Sequence, residues 1–151
     1  MYEERLNEMG IELPEAPKPL AAYIPAIQAG EFVYTSGQIP LAAGELKYKG
    51  RIGSDLTEEQ GYEAARLCAV NCLSAVKSLI GSLDKIAQIV KITGFVNSAP
   101  GFTSQPKIVN GASELIEKVF GGAGRHTRSA VGVSELPLGA AVEIELIVRL
   151  I

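Results

Sequence analysis

The stretch "HTRSAVGVSELPLGAAVEIELIVRLI", residues 126–151, places charges inside two apolar segments. Arg128 opens the first segment, and Glu143 and Glu145 sit at alternate positions in the second. A guanidinium offers a planar fork of N–H donors that matches a carboxylate in two parallel hydrogen bonds. A glutamate beside such a grip can position a water or manage a proton. The ordinary alternative is a sheet with one wet face, where the glutamates are solvated. Arg128 would then pair with one of them across neighbouring strands for less than about 1 kcal/mol. Residue types alone leave both readings open: a solvated face, or a cleft in which Arg128 holds an anion.

Other chemistry finds little support. The chain contains no G-x-x-x-x-G-K-[ST], no strand-linked G-x-G-x-x-G and no G-x-S-x-G. "SQPK" (104–107) imitates an S-x-x-K motif without its partners, and Pro106 interrupts it. A serine–histidine relay would have to run through His126, the single histidine, and no strained nucleophile turn accompanies it. Cys68 and Cys72 in "LCAVNC" share one side of a helix but lack the further ligands a zinc site needs. They read as packing residues. "GGAG" (121–124) reads as a loop between a helix and a strand. No metal and no cofactor is expected.

The elements that must position Arg128 and the glutamates follow from periodicity. "YIPAIQ" (23–28) and "EFVYTSGQIP" (31–40) predict two strands turning at Gly30 and Glu31, and "LKYKG" (46–50) a third short one. "DLTEEQGYEAARLCAVNCLSAVKSLIG" (55–81) predicts a helix that starts on a Thr57/Gln60 capping box and stops at Gly81. "IAQIVKITGFVNS" (86–98) reads as a strand inside a sheet, and residues 102–119 as a second helix. Two final strands follow. Strands, helix, strand, helix, strands predicts an α+β fold with the helices layered on one face of a mixed sheet. Residues 1–19 form a separate N-terminal arm, a short helix followed by the proline-rich "LPEAPKP", ahead of one domain spanning 20–151.

Composition narrows the function classes. The chain has 151 residues, 47% hydrophobic and 21% charged, with a net charge of −3. That length supports one domain with a real core. The acidic balance supplies no basic face for nucleic acid. No apolar run approaches a membrane span, and "MYEERLNEMG" lacks the order of a signal peptide, so the cytoplasm is the expected compartment.

With these elements in place, "YTSGQIP" (34–40) and "HTRSAVGVSELPLGAAVEIELIV" (126–148) together resemble the signature pair of the RidA/YjgF family of imine/enamine deaminases. The resemblance runs from about Ala21 to the end, and the arm suggests a longer-chain subgroup. It implies a chorismate mutase-like fold, a homotrimer with sheets facing inward, and ligand clefts between subunits. It implies that Arg128 grips a substrate carboxylate and that Glu143 positions or activates the attacking water. Tyr23, Ser36, Gly37, Phe95, Asn110 and Ala130 fall at cleft positions. Ala130 stands where the family usually has cysteine, and "AAY" (21–23) replaces the usual "G-P-Y".

The implied reaction is hydrolytic deamination of 2-imino or enamino acids, such as 2-aminoacrylate and 2-iminopropanoate, to 2-oxo acids and ammonia. A non-catalytic module that binds small carboxylates in the same cleft is the competing reading. An endoribonuclease or translation-inhibitor role, also attached to the family, is opposed by the acidic charge and the lack of a basic, aromatic-interleaved patch.

Overall fold

The computed structural model describes residues 1–16 and 22–151. Pro17 and Pro19 of the arm and Ala21 of "AAY" therefore lie outside the described residues. The order is α1 (Tyr2–Glu8), β1 (Ala26–Ala29), β2 (Phe32–Thr35), β3 (Leu41–Ala42), β4 (Glu45–Leu46), α2 (Glu58–Ile80), β5 (Ile86–Asn97), α3 (Gln105–Phe120), β6 (Thr127–Val133) and β7 (Val142–Leu150). One five-stranded sheet runs β1-β2-β7-β5-β6. Its pairs are antiparallel except β5 with β6, which are parallel. A parallel pair needs a crossover, and α3 supplies it. The fold is α+β with helices on one face of a mixed sheet.

Helix α2 begins where its sequence says. Thr57 Oγ1 accepts from Gln60 N–H at 3.1 Å, and Gln60 Oε1 accepts from Thr57 N–H at 2.9 Å. The capping box satisfies two N–H groups that the first helical turn leaves without partners. Helix α3 starts at Gln105, later than the periodicity predicts. Phe102 closes a turn onto the Ala99 carbonyl, and Pro106 then occupies the first helical turn, where its missing N–H is not needed.

Strand β7 explains how an apolar strand tolerates two carboxylates. Val142, Ile144, Leu146 and Val148 are buried beneath the helices, while Glu143, Glu145 and Ile147 alternate onto the opposite face. The helix side of β7 is held by side chains of α2. Cys68 Sγ donates to the Val142 carbonyl at 3.5 Å and Cys72 Sγ to the Ile144 carbonyl at 3.2 Å. Both thiols are buried, consistent with packing residues.

Two details depart from expectation. "LKYKG" does not form a strand. Only Leu46 of that stretch joins the small β3/β4 hairpin, whose turn carries Ala43 and Gly44 at positive φ, and Lys49 makes an isolated bridge to Ala140. The last two strands are also not neighbours, because β5 lies between β6 and β7. A cross-strand Arg128–glutamate pair is thereby excluded within one chain.

The N-terminal helix packs onto this body. Leu6 is buried, Tyr2 and Phe120 form a tilted aromatic pair with ring centroids 4.5 Å apart, and Arg5 Nη1 donates to the Val119 carbonyl at 2.8 Å. That carbonyl belongs to the last turn of α3, which has no intrahelical donor for it. Burying Leu6 alone stabilises this docking by about 1.5–3 kcal/mol. Farther along, Ser74 Oγ on α2 donates to the Pro14 carbonyl at 2.7 Å.

Candidate functional site

Strand β2 pairs with β7 through Phe32, Val33 and Tyr34, then parts from it. Thr35 turns its hydroxyl into the sheet, where Oγ1 takes the Leu146 N–H at 2.9 Å in place of a backbone carbonyl. Pairing resumes at Gln38, which exchanges two backbone hydrogen bonds with Ile144 at 2.8 and 3.0 Å. Between these points, Ser36 and Gly37 bow away from the ladder. Ser36 is tied to the preceding segment: its N–H donates to the Pro25 carbonyl at 2.8 Å and its Oγ to the Ile24 carbonyl at 2.6 Å. Tyr23, next along that segment, is 54% exposed.

The bow brings Gly37 against Glu143. A Cβ at Gly37 would stand 2.8 Å from Glu143 Cδ, so the absence of a side chain is what lets the carboxylate lie there. Glu143 is half-buried, and burial raises its carboxyl above the usual range, with Glu145 adding to the effect. Phe95 lies directly across the β5–β7 ladder from Glu143. Residues opposite one another in a ladder share a face, so Phe95, Glu143 and Glu145 all line the side of the sheet away from the helices.

Arg128 belongs to the other side. It pairs with Ile92 of β5, which pairs in turn with Leu146, and both of those are buried under the helices. Ala130 follows on the same face, beside Gly94. From β6, the outermost strand on this side, the Arg128 side chain meets α3. Its Nη1 donates to Asn110 Oδ1 at 2.7 Å and to Ser113 Oγ at 3.2 Å. Ser113 Oγ also meets His126 Nε2 at 2.9 Å, and His126 Nδ1 meets the Gly124 carbonyl at 2.6 Å.

The eight candidate residues therefore separate into two groups. Tyr23, Ser36, Gly37, Phe95 and Glu143 cluster around the end of β2 and the outward face of β7 and β5. Asn110, Arg128 and Ala130 cluster between β6 and α3. A single chain does not bring Arg128 and Glu143 together, because the sheet stands between them. Two surface hollows of about 470 and 430 Å³ lie elsewhere, around Tyr62 and Lys107 and around Tyr48 and Arg66, and include none of the eight.

Sequence reasoning missed Ser113 and His126 as members of the Arg128 group. The signals were nonetheless present. Ser113 follows Asn110 by three positions and shares its side of α3. His126 precedes Arg128 by two, the spacing that keeps side chains on one side of a strand. "GGAG" is likewise more than punctuation. It forms a tight 3₁₀ turn in which a Cβ on Gly124 would come 2.6 Å from the Ile116 carbonyl. The missing side chain lets this turn lie against α3, where it delivers its carbonyl to His126.

Chemically, the Arg128 group offers a guanidinium held by one nitrogen. Among the described residues, the side-chain hydrogen bonds of Arg128 to protein acceptors all run through Nη1, and none engages Nε or Nη2. Those two nitrogens form the side fork that matches a carboxylate bidentately. The Glu143 group offers a carboxylate in a partly desolvated setting, suited to orienting water.

Comparison with known proteins agrees with this architecture. Residues 3–150 match the family model described as "YjgF/chorismate mutase-like, putative endoribonuclease". A Trypanosoma cruzi relative, protein TCP17, is 43% identical over 96% of this chain and 91% of its own length. A Dermatophagoides farinae protein named 2-iminobutanoate/2-iminopropanoate deaminase is 34% identical over 91% of this chain and 93% of its own length. A crystal structure from Shewanella oneidensis superposes with a TM-score of 0.96 at 37% identity, covering 99% of both chains. The Escherichia coli TdcF structure, which contains bound serine, superposes with a TM-score of 0.62 at 27% identity, covering 89% of this chain and 93% of its own. The strand signature, the helix-backed sheet and these relatives place the chain in the YjgF/RidA family, with its chorismate mutase-like fold.

Proposed function

We propose that the protein hydrolyses reactive 2-imino and enamino acids to 2-oxo acids and ammonia, at sites that each combine the Arg128 group of one chain with the Glu143 group of another. The observation that carries this reading is the state of Arg128. Asn110 and Ser113 both accept from Nη1, which supports a held guanidinium plane whose Nε/Nη2 fork is left to take a carboxylate. Serine in the TdcF structure and the deaminase name of the mite relative support an amino-acid-like carboxylate as the ligand.

Hydrolysis of such an imine makes modest demands on a site. The C=N carbon is already electrophilic. Water adds to it, the nitrogen gains a proton, and the resulting carbinolamine collapses to C=O with departure of ammonia. The fork of Arg128 fixes the carboxylate, and with it the imine carbon. Glu143 holds the attacking water and takes one of its protons. The raised affinity of Glu143 for protons suits that exchange. Ser36 and Gly37 close the side next to Glu143 with main-chain groups, and Tyr23 and Phe95 supply apolar walls.

The uncovered face of the sheet supports assembly. It exposes Ile27, Tyr34 and Val131 at 54, 42 and 44%, an apolar surface that association would bury. Three copies with these faces inward, a homotrimer, would bring the two groups together at each interface. The test is ammonia release from imines generated in situ by an amino-acid oxidase, with semicarbazide as the competing trap. Accelerated ammonia release that depends on Arg128 supports the reading. Binding of 2-oxo acids without turnover of any imine would instead make the protein a carboxylate-binding module.

A further inference from the structure

Resting on that reading of Arg128, we infer that Ser113 and His126 are positioning residues that set the guanidinium before a ligand arrives. The polarity of the chain of hydrogen bonds carries the inference. The Gly124 carbonyl can only accept, so His126 Nδ1 carries the proton across their 2.6 Å contact. In the neutral ring that leaves Nε2 as an acceptor, and the Ser113 hydroxyl must donate to it at 2.9 Å. With its only hydrogen committed to His126, Ser113 Oγ presents lone pairs to Arg128 Nη1. Without the histidine, the hydroxyl is free to rotate its hydrogen toward the guanidinium and lose that contact.

The arrangement starts in the backbone. The Gly124 turn is pressed onto α3 and offers its carbonyl, and the short path from Gly124 to Arg128 passes through His126. Ser113 is buried, which restricts the access of water to its hydroxyl. Asn110 alone would fix one Nη1 hydrogen and leave the guanidinium to swing about it. Ser113 fixes the second. Two contacts on one nitrogen define the plane, and the plane decides whether Nε and Nη2 meet both carboxylate oxygens or only one. The bond that Ser113 Oγ accepts from a cation also makes it a poor nucleophile, which argues against a serine–histidine hydrolytic pair here.

The test combines two readouts on wild type and on Ser113→Ala, Ser113→Thr, His126→Ala and Arg128→Ala chains. Nitrogen-15 NMR of arginine side chains follows rotation of the Arg128 guanidinium in the ligand-free protein, assigned by its loss in Arg128→Ala. Titration with pyruvate measures carboxylate affinity. Slow rotation is expected in wild type and in Ser113→Thr, which keeps the hydroxyl, and fast rotation in Ser113→Ala and His126→Ala. Pyruvate affinity should fall about 5- to 30-fold in the latter two, recover in Ser113→Thr, and fall no further when Ser113→Ala is added to Arg128→Ala. Slow rotation and wild-type affinity in both alanine variants would overturn the inference, as would a freely rotating guanidinium in wild type. Restrained rotation that Ser113→Ala releases, in a protein that binds no pyruvate, would uphold the positioning role and remove the carboxylate reading instead.

Discussion

Arg128 and Glu143 stand on opposite faces of one sheet, with β5 between the strands that bear them. Neither is a surface accident. Arg128 is anchored by Asn110 and Ser113 on α3, and Glu143 lies in a space kept open by Gly37. The two charges that stood out in the sequence thus belong to two separate surfaces of the chain, each with its own supporting residues.

Replacing Arg128 should abolish imine hydrolysis while leaving the fold intact. Arg128→Lys should be severely impaired as well, because an ammonium cannot reproduce a planar two-bond grip. Loss of the grip is worth about 2–5 kcal/mol, or roughly 30- to several-thousand-fold in kcat/KM. Steady-state ammonia release, beside circular dichroism to confirm folding, checks both variants. Near-normal turnover in Arg128→Ala would place the carboxylate grip elsewhere.

Glu143→Gln should separate binding from turnover. Calorimetry should find 2-oxo acid affinity within a few-fold of wild type, whereas kcat drops by about 100-fold or more, the usual contribution of a positioned acid or base. An equal loss of binding would show that Glu143 contacts the ligand rather than the water.

Gly37→Ala should act through Glu143. Its methyl group would occupy the volume of the Glu143 carboxylate, which must move. The expected kinetic signature is that of Glu143→Gln, a fall in kcat with carboxylate binding largely retained. Wild-type kcat in Gly37→Ala would show that the site tolerates a displaced Glu143.

The cysteines should behave as core. Burial pushes the Cys72 thiol up to about 12 and raises Cys68 well above its ordinary value. At pH 8 both should resist a disulfide reagent in the folded protein and react as it unfolds. The linkage has a definite sign. Thiols of the unfolded chain ionise near 9 while the folded ones stay protonated, so this contribution to stability is intact below about pH 9 and lost as pH rises toward 12. The Cys68→Ala/Cys72→Ala chain should cost about 1–3 kcal/mol at neutral pH, keep its activity and lose that alkaline decline. Denaturant titrations at several pH values measure it. Lost activity in a folded double variant would mean the pair does more than pack.

Much of this was legible in the sequence because it is local. The capping box of α2, the hairpin turn at Gly30 and Glu31, and the alternation of Val142, Glu143, Ile144 and Glu145 each follow from spacing alone. The relation of β6 to β7 did not, since a short connection is compatible with pairing or with a third strand between them. The register through β5, which aligns Arg128 with Ile92 and Leu146 but Glu143 with Phe95, puts Arg128 and Glu143 on different faces. The Arg128 group was half visible for the same reason. Arg128 stood out as a charge in an apolar segment and Asn110 came from the family resemblance, whereas Ser113 and His126 joined them through contacts that span α3, a glycine turn and β6.

The central claim is that each site is built from Arg128 of one chain and Glu143 of another. Mixing Arg128→Ala with Glu143→Gln chains tests it most directly. Each variant alone should release ammonia far more slowly than wild type. Co-refolded in equal amounts, with hybrid assemblies verified by native mass spectrometry, they should recover about a quarter of the wild-type rate, the share of interfaces that pair an intact Arg128 with an intact Glu143. A hybrid no more active than its parents would contradict a site shared between chains.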